Sequence, residues 1–189
     1  MIYIIIGGSC CGKTSFVKNT WLKGSYFETK KDILSYVETE KAIILGKYSN
    51  IDGRERSGTD TISRSQVSLI GEQVKRLYVK DKDIVLEGDK ATSRKLFDAL
   101  LSLGKVKLIL IHCDVYLSLQ RNKEQNTIVK ESTLKAILTK ARNIFEEYKT
   151  RMDGIEIDTT NFIVEDFKQY SMRDYDKYKK QTNTLVTLF

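Results

Sequence analysis

Eight consecutive residues, Gly7-Gly8-Ser9-Cys10-Cys11-Gly12-Lys13-Thr14, match the pattern G-x-x-x-x-G-K-[ST] in full. Glycines at these positions let a loop curl so that its backbone N–H groups point at phosphate oxygens. Lys13 would then reach the β and γ phosphates of a nucleoside triphosphate, and Thr14 would offer a hydroxyl to Mg²⁺. Ser15 follows as a helical residue that can contact the α phosphate. The motif therefore predicts binding of ATP or a similar triphosphate together with Mg²⁺.

Two of the three cysteines, Cys10 and Cys11, lie inside this loop, and the third is Cys113. The three form no C-x-x-C pair, and with His112 as the sole histidine they make a poor metal site. No base lies close in sequence to activate a thiol as a nucleophile. We interpret all three as reduced thiols, and Cys10 and Cys11 as small loop residues that are sensitive to oxidation or alkylation.

A second candidate for chemistry is the acidic end of an apolar strand, where Ile84 to Leu86 leads into Glu87-Gly88-Asp89. An acid at the carboxyl edge of a sheet can hold Mg²⁺ through water or orient an acceptor hydroxyl. We expect Glu87 to do this, as a metal and catalytic residue. Asp89 has an equally good alternative as the cap of a helix that begins near Thr92.

Asp60 is the candidate general base. It follows Gly58, whose conformational freedom permits a tight turn that presents the carboxylate beside a transferred phosphoryl group. The alternative is structural, since Asp60 could instead cap a helix that begins near Ser63. The residues themselves leave these two interpretations nearly equal.

Cations beyond Lys13 are also expected, because phosphoryl transfer spreads negative charge over the migrating group. Arg121 stands where a lid usually begins, so residues 121–142 are predicted to form a short lid. Lys140 and Arg142 lie two positions apart on the next helix and face different directions, so at most one of them reaches the phosphates. We assign Arg142 to cofactor binding, with surface solvation as the alternative for each cation. The polar run 158–161 could line a nucleobase or cap a helix.

Short apolar strands and amphipathic helices alternate along the chain, which predicts an α/β fold. Crossovers of this length imply a parallel, doubly wound sheet with ligands at its carboxyl edge. We expect a P-loop NTPase-type three-layer αβα domain covering residues 1–189, with a five-stranded parallel sheet. Residues 46–62 would form an acceptor-side loop, and residues 165–189 a C-terminal tail. The strands are predicted at 2–6, 42–45, 84–86, 106–111 and 155–157, and the helices at 14–22, 63–78, 91–103, 115–121 and 132–148.

Composition narrows the class of protein. The chain has 189 residues with 41% hydrophobic content, which is enough for a core, and its net charge is +7. A positive balance suits an anionic partner, either a nucleotide or a nucleic acid. No apolar run approaches the roughly 20 residues that span a bilayer, and the amino terminus does not resemble a secretory signal. We expect a cytoplasmic protein with no membrane partner; the sequence does not indicate its oligomeric state.

Together these residues resemble small P-loop kinases of the nucleoside and nucleic-acid kinase group, and within it the phage-type 5-hydroxymethyluracil DNA kinases. The resemblance rests on the phosphate loop and on S-G-T-D at 57–60, L-E-G-D at 86–89 and T-K-A-R-N-I at 139–144. It implies transfer of the γ-phosphate of ATP to the hydroxymethyl group of that base in phage DNA, inside a host cytoplasm. Asp60 would activate the hydroxyl, Glu87 would support the metal or acceptor, and a DNA acceptor would explain the positive charge.

Two alternatives stay open. A small-molecule deoxynucleoside or deoxynucleoside-monophosphate kinase would use the same loop and acids. A nucleotide-binding NTPase module that is not a kinase would keep the loop but lack an acceptor. The residues after Arg121, Asn122-Lys123-Glu124-Gln125, depart from an arginine-rich lid. The chain has no proline, which excludes the D-G-[FY]-P-R segment of adenylate-type kinases.

Overall fold

A computed structural model describes residues 1–22, 28–51, 54–78, 81–124 and 129–161, so the predicted tail at 165–189 lies outside the described residues. The strands are β1 (Ile2–Gly7), β2 (Glu28–Lys31), β3 (Ser35–Glu38), β4 (Ala42–Leu45), β5 (Lys47–Ile51), β6 (Arg54–Gly58), β7 (Asp83–Glu87), β8 (Val106–His112) and β9 (Ile155–Asp158). The α-helices are α1 (Lys13–Val17), α2 (Ile70–Leu77), α3 (Arg94–Leu101), α4 (Val115–Glu124) and α5 (Glu131–Tyr148). A π-helical turn, Lys18–Leu22, continues α1, and 3₁₀ turns occupy Thr59–Thr61, Arg64–Leu69 and Asp89–Ala91.

The main sheet has seven strands in the order β2-β3-β4-β7-β1-β8-β9. The five predicted strands are all present and form its parallel part, with β1 between β7 and β8. In addition, β2 and β3 extend the sheet antiparallel beside β4. This edge was not predicted, because all four β2 side chains are exposed and show no apolar alternation.

Side chains that alternate along the central strands build one core on each face of the sheet. On one face Ile4, Leu86 and Leu108 pack with apolar residues of α2, α3 and α5. On the other face Ile5 and Val85 pack with Phe16, Val17 and Trp21 of α1 and its π-turn, and Leu117 of α4 packs against the same core. Helices therefore cover both faces, which confirms the predicted three-layer α/β fold of the P-loop type.

Two features of this fold position the candidate site. The end of β7 lies beside β1, with Glu87 paired in register with Ile5 just before the phosphate loop. The segment predicted as an acceptor-side loop contains an antiparallel hairpin, β5–β6, in which Tyr48 pairs with Ser57. None of the helices in the described part of the chain is long and apolar enough to cross a membrane.

Candidate active site

The phosphate loop joins β1 to α1, and its carbonyl groups are held from outside the loop. Ser118 Oγ donates to the Ser9 carbonyl at 2.8 Å, and the Arg121 guanidinium contacts the Cys10 carbonyl at 3.5 Å. Thr159 Oγ1 lies 3.3 Å from the Cys11 carbonyl and 2.9 Å from that of His112. In a trans peptide the C=O of one residue and the N–H of the next point in opposite directions. The N–H groups that follow these carbonyls are therefore directed away from α4 and β9, as anion binding requires.

Backbone conformation and Lys13 complete the curl of the loop. Gly12 precedes α1 with a φ of 91°, in the left-handed region that glycine tolerates, and Cys10 also has a positive φ of 55°. The Lys13 ammonium donates to the carbonyl of Gly8 at 2.6 Å and lies 3.3 Å from that of Gly7. The Lys13 side chain, which is predicted to contact the phosphates, thus lies over Gly7 and Gly8 at the start of the loop.

Glu87 joins the loop to the hairpin. Because side chains alternate along β7, Glu87 faces the same side as Val85, which is the side covered by α1. Thr14 Oγ1 donates to Glu87 Oε1 at 3.0 Å, and the Tyr48 hydroxyl donates to Glu87 Oε2 at 3.1 Å. Ser57 Oγ lies 2.7 Å from Thr14 Oγ1 and 3.5 Å from Glu87 Oε2. The two residues predicted to bind the metal, Thr14 and Glu87, are thereby brought into direct contact.

Burial changes the protonation of this carboxylate. The Glu87 side chain is almost completely buried, and this burial raises its pKa above the ordinary value. Lys13 opposes the rise, and Asp60 adds to it by charge repulsion. Burial also raises the pKa of Tyr48 well above its usual value, with Glu87 contributing. Glu87 is consequently a stronger proton acceptor than a glutamate in water.

Asp60 approaches the same corner from the 3₁₀ turn that follows β6. Its Oδ1 accepts a long bond from the Lys90 N–H at 3.4 Å, and Lys90 Nζ donates to the Asp60 carbonyl at 2.9 Å. The surrounding chain raises the pKa of Asp60 by desolvating the carboxyl group, and Lys13 opposes the rise. The residue still exposes part of its surface. Asp60 does not cap the next helical turn, since Ser63 occupies that N-cap position.

Asp89 lies just beyond, and its Oδ1 pairs with Lys140 Nζ at 3.0 Å. It does not cap α3, whose N-cap residue is Ser93. Lys140 is therefore engaged at the outer end of β7.

The remaining cations occupy the other side of the loop. Arg121 is buried in α4 behind Cys10, at the start of the segment predicted as a lid, in which residues 125–128 lie outside the described part. Arg142 lies at the carboxyl ends of β8 and β9, where its guanidinium is 3.3 Å from His112 Nδ1. His112 Nε2 in turn lies 2.9 Å from Glu156 Oε1. In the neighbouring turn, Thr160 Oγ1 contacts Asp158 at 2.6 Å and accepts from the Asp114 N–H at 3.0 Å.

Three residues near Glu87 were not predicted from the sequence. Tyr48 and Ser57 reach it from paired positions of the hairpin, and Lys18 lies close enough for its charge to interact with that of Glu87. Burial lowers the pKa of Lys18, and Glu87 opposes this. The spacing of Thr14 and Lys18, four residues apart on the helical segment, was the available signal for Lys18.

The oxygen atoms of Thr14, Ser57 and Glu87 suit Mg²⁺, a hard cation held by one or two carboxylates together with substrate phosphates. Within the described ranges, no three His, Cys, Asp or Glu side chains come together as a complete metal site. Thr14 and Glu87 are the protein ligands that the geometry offers to a cation held together with nucleotide phosphates.

Neither a family model nor a curated protein matches the sequence. Among solved structures, a deoxyadenosine kinase from M. mycoides with bound dCTP is similar to this chain. It is 10% identical, with a TM-score of 0.45, over 97% of this chain and 100% of the other. A likeness of this strength carries no argument about function, which depends on the residues described above.

Proposed function

We propose that this protein is a Mg²⁺-dependent phosphotransferase that moves the γ-phosphate of ATP to a hydroxyl group of a deoxynucleoside. Deoxynucleoside monophosphates are the other small-molecule acceptors that this proposal includes. The observation that carries the proposal is the contact of Thr14, Ser57 and Glu87 between the phosphate loop and β7. This contact joins the phosphate loop to the Glu87 carboxylate, whose pKa is raised.

Separate residues would bind the triphosphate and activate the acceptor. Loop N–H groups and Lys13 would hold the β and γ phosphates, with Ser15 at the α phosphate and Arg121 and Arg142 as further cations. Mg²⁺, bound beside Thr14 and Glu87, would neutralise charge on the phosphate oxygens. Asp60 would accept the proton of the attacking hydroxyl, a task to which its raised pKa is suited.

The hairpin supports an acceptor the size of one nucleoside. Tyr48 and Ser57 lie against Glu87 and leave it 2% exposed, so the chain itself covers this side of the site. A polymer would have to lie across this cover, which favours an acceptor the size of a single nucleoside.

A second candidate acceptor is the hydroxymethyl group of 5-hydroxymethyluracil in DNA, which the net charge of +7 favours. A base within a duplex must be flipped out, or met in a single strand, before its hydroxyl reaches a bound triphosphate. Transfer to DNA should then fall steeply as salt rises, while transfer to a nucleoside should change little.

The test is a transfer assay with γ-labelled ATP and Mg²⁺. The acceptors are deoxynucleosides, deoxynucleoside monophosphates, DNA containing 5-hydroxymethyluracil and unmodified DNA. We expect label in a deoxynucleoside and none with Lys13→Ala. Label in the modified DNA alone would replace this proposal by the DNA kinase. Hydrolysis without transfer to any of the four acceptors would favour the NTPase module.

A further inference from the structure

Two of the thiols meet behind the phosphate loop. Cys11 Sγ lies 3.1 Å from Cys113 Sγ, although the residues are 102 positions apart in the chain. Cys11 belongs to the loop, and Cys113 directly follows β8. A disulfide has an S–S length of about 2.05 Å, so the two sulfur atoms need to approach by about 1 Å to be joined.

The surroundings make the two thiols unequal. The hydrogen bond from Cys113 lowers the pKa of Cys11 to about 7, and the charges of Lys13 and Arg121 act in the same direction against burial. The same hydrogen bond raises the pKa of Cys113. Cys11 also belongs to the loop that carries Lys13, whose charge favours the thiolate at Cys11 and not at Cys113, so Cys11 is the attacking sulfur of the pair.

We propose that Cys11 and Cys113 are a modification site, a dithiol that a peroxide converts to a disulfide linking the phosphate loop to the end of β8. The Cys11 and Cys113 side chains are almost completely buried, whereas the third cysteine, Cys10, is partly exposed and lies outside this sulfur–sulfur contact. It serves as the internal control for reactivity that depends only on exposure.

The chemistry needs one hydrogen peroxide molecule as the two-electron oxidant. The Cys11 thiolate attacks one peroxide oxygen, the O–O bond breaks, and the departing oxygen takes a proton and leaves as water. Cys11 is then a sulfenic acid. The Cys113 sulfur attacks the Cys11 sulfur, the S–O bond breaks, and the hydroxyl leaves with the Cys113 proton as a second water. Two thiols and one peroxide give one disulfide and two waters.

Formation of the bond is independent of the proposed function, but its consequence for nucleotide binding rests on it. The Cys11 carbonyl is held by Thr159 and the Ser9 carbonyl by Ser118, so the loop is fixed on both sides of the thiol. A displacement of about 1 Å at Cys11 would move the following Gly12 N–H away from its place in the anion cradle. Loss of one hydrogen bond to a charged phosphate is enough to lower affinity about tenfold, so we expect ATP affinity to fall at least tenfold.

The experiment treats the full-length protein with graded hydrogen peroxide and then counts free thiols and maps linked peptides by mass spectrometry. The variants are Cys10→Ser and Cys113→Ser, with Cys113→Ala as a second replacement if the serine variant folds poorly. We expect the parent and Cys10→Ser each to lose two thiols in a single Cys11–Cys113 link that dithiothreitol reverses. Both Cys113 variants should form no such link.

A link that contains Cys10, or irreversible oxidation of Cys11 without a link, would overturn the assignment. The assignment would also be overturned if peroxide left the thiols of the folded protein unchanged and formed the link, at the same concentration, only after urea had unfolded the chain. ATP affinity is then measured for the reduced and linked forms. An equal affinity in the two forms would refute the proposed consequence for binding. Absence of ATP binding in the reduced form would count against the proposed function and leave the thiol result intact.

Discussion

At the scale of single residues, Asp60 and Glu87 bring two carboxylates to one corner from different elements. Glu87 contacts Thr14 and is buried, while Asp60 remains partly open to solvent and is held through Lys90. This difference suits separate tasks, with Glu87 on the metal side and Asp60 on the acceptor side. Each assignment can be tested by an amide substitution that preserves shape.

Asp60→Asn should lower the turnover number about 10²- to 10⁴-fold, because the attacking hydroxyl loses its proton acceptor. Triphosphate affinity should stay within about twofold, because the loop N–H groups and Lys13 are unchanged. The measurement pairs a steady-state transfer assay with a nucleotide-binding titration. Asp89→Asn is the matched control, because its carboxylate pairs with Lys140 at the outer end of β7 and should leave turnover unchanged. Equal turnover in Asp60→Asn and the parent would remove Asp60 as the base.

Glu87→Gln should change how stability depends on pH. The folded pKa of Glu87 is raised above its ordinary value of 4.5, so the folded state binds its proton more tightly than the unfolded state. Glu87 therefore favours folding at low pH, and this contribution is lost as pH rises from about 4.5 through the folded pKa. The Tm of Glu87→Gln minus that of the parent should consequently increase over this range by a few °C.

The measurement is a series of thermal melts between about pH 4 and pH 8, with Glu146→Gln as control. Glu146 is an exposed residue of α5, and the difference in Tm between its variant and the parent should be the same throughout this pH range. A Tm difference for Glu87→Gln that shrinks as pH rises would contradict the raised pKa.

At the scale of elements, the β5–β6 hairpin depends on the backbone at its final residue. Gly58 has a φ of 60°, and an added Cβ would lie 2.5 Å from Glu87 Oε2 and against the Glu87 backbone. Gly58→Ala should therefore destabilise the fold by more than about 1 kcal/mol and weaken the contact of Ser57 with Thr14. Denaturant melts would measure the loss.

The matched control for this prediction is Gly71→Ala in α2, where the nearest neighbour of an added Cβ is Leu96 Cδ1 at 3.7 Å. Alanine there should be neutral or stabilising by up to about 1 kcal/mol, because it restricts the unfolded chain and favours the helix. Equal effects of the two substitutions would show that the end of the hairpin has no special backbone requirement.

Four of the five parallel strands could be predicted because each is a short apolar run buried on both faces, as Ile4 to Ile6 shows. The fifth, β9, could be predicted because its buried Ile155 and Ile157 alternate with exposed residues. The antiparallel strands β2 and β3 and the hairpin could not be predicted, because β2 and the hairpin are largely polar in sequence and β3 has only two buried residues, Tyr36 and Val37. Helix boundaries also differed: the segment predicted as one helix from Ser63 begins as a 3₁₀ turn, and α2 starts at Ile70.

The site also contains residues that could be predicted from the sequence and residues that could not. Thr14 and Glu87 could be found because each lies at the end of a recognisable strand–loop pattern. Ser57 and Tyr48 reach Glu87 only because the hairpin folds back over β7, and sequence spacing does not contain that geometry. The contact of Cys11 with Cys113 likewise depends on β1 and β8 being neighbours.

At the scale of the whole molecule, binding at the loop should stabilise the entire domain, because the loop joins β1, inside the sheet, to α1, which packs into the core on one face of it. Mg²⁺ and ATP at about 100 times the dissociation constant should add about 2.7 kcal/mol, which is about 5–10 °C in Tm. Lys13→Ala should abolish most of this shift, whereas Lys140→Ala should retain it. Thermal melts with and without ligand measure both, and an equal shift in Lys13→Ala would contradict the assigned role of the loop lysine.

The position of β1 between β7 and β8 has a consequence for synthesis of the protein on the ribosome. The partners of Ile2 are Ile84 and Val106, so the apolar strand is made long before either neighbour exists. At translation rates of about 5–20 residues per second, β1 waits roughly 5–20 seconds for its second partner. During that interval the nascent chain exposes an aggregation-prone segment, which a chaperone would be expected to shield until β8 emerges.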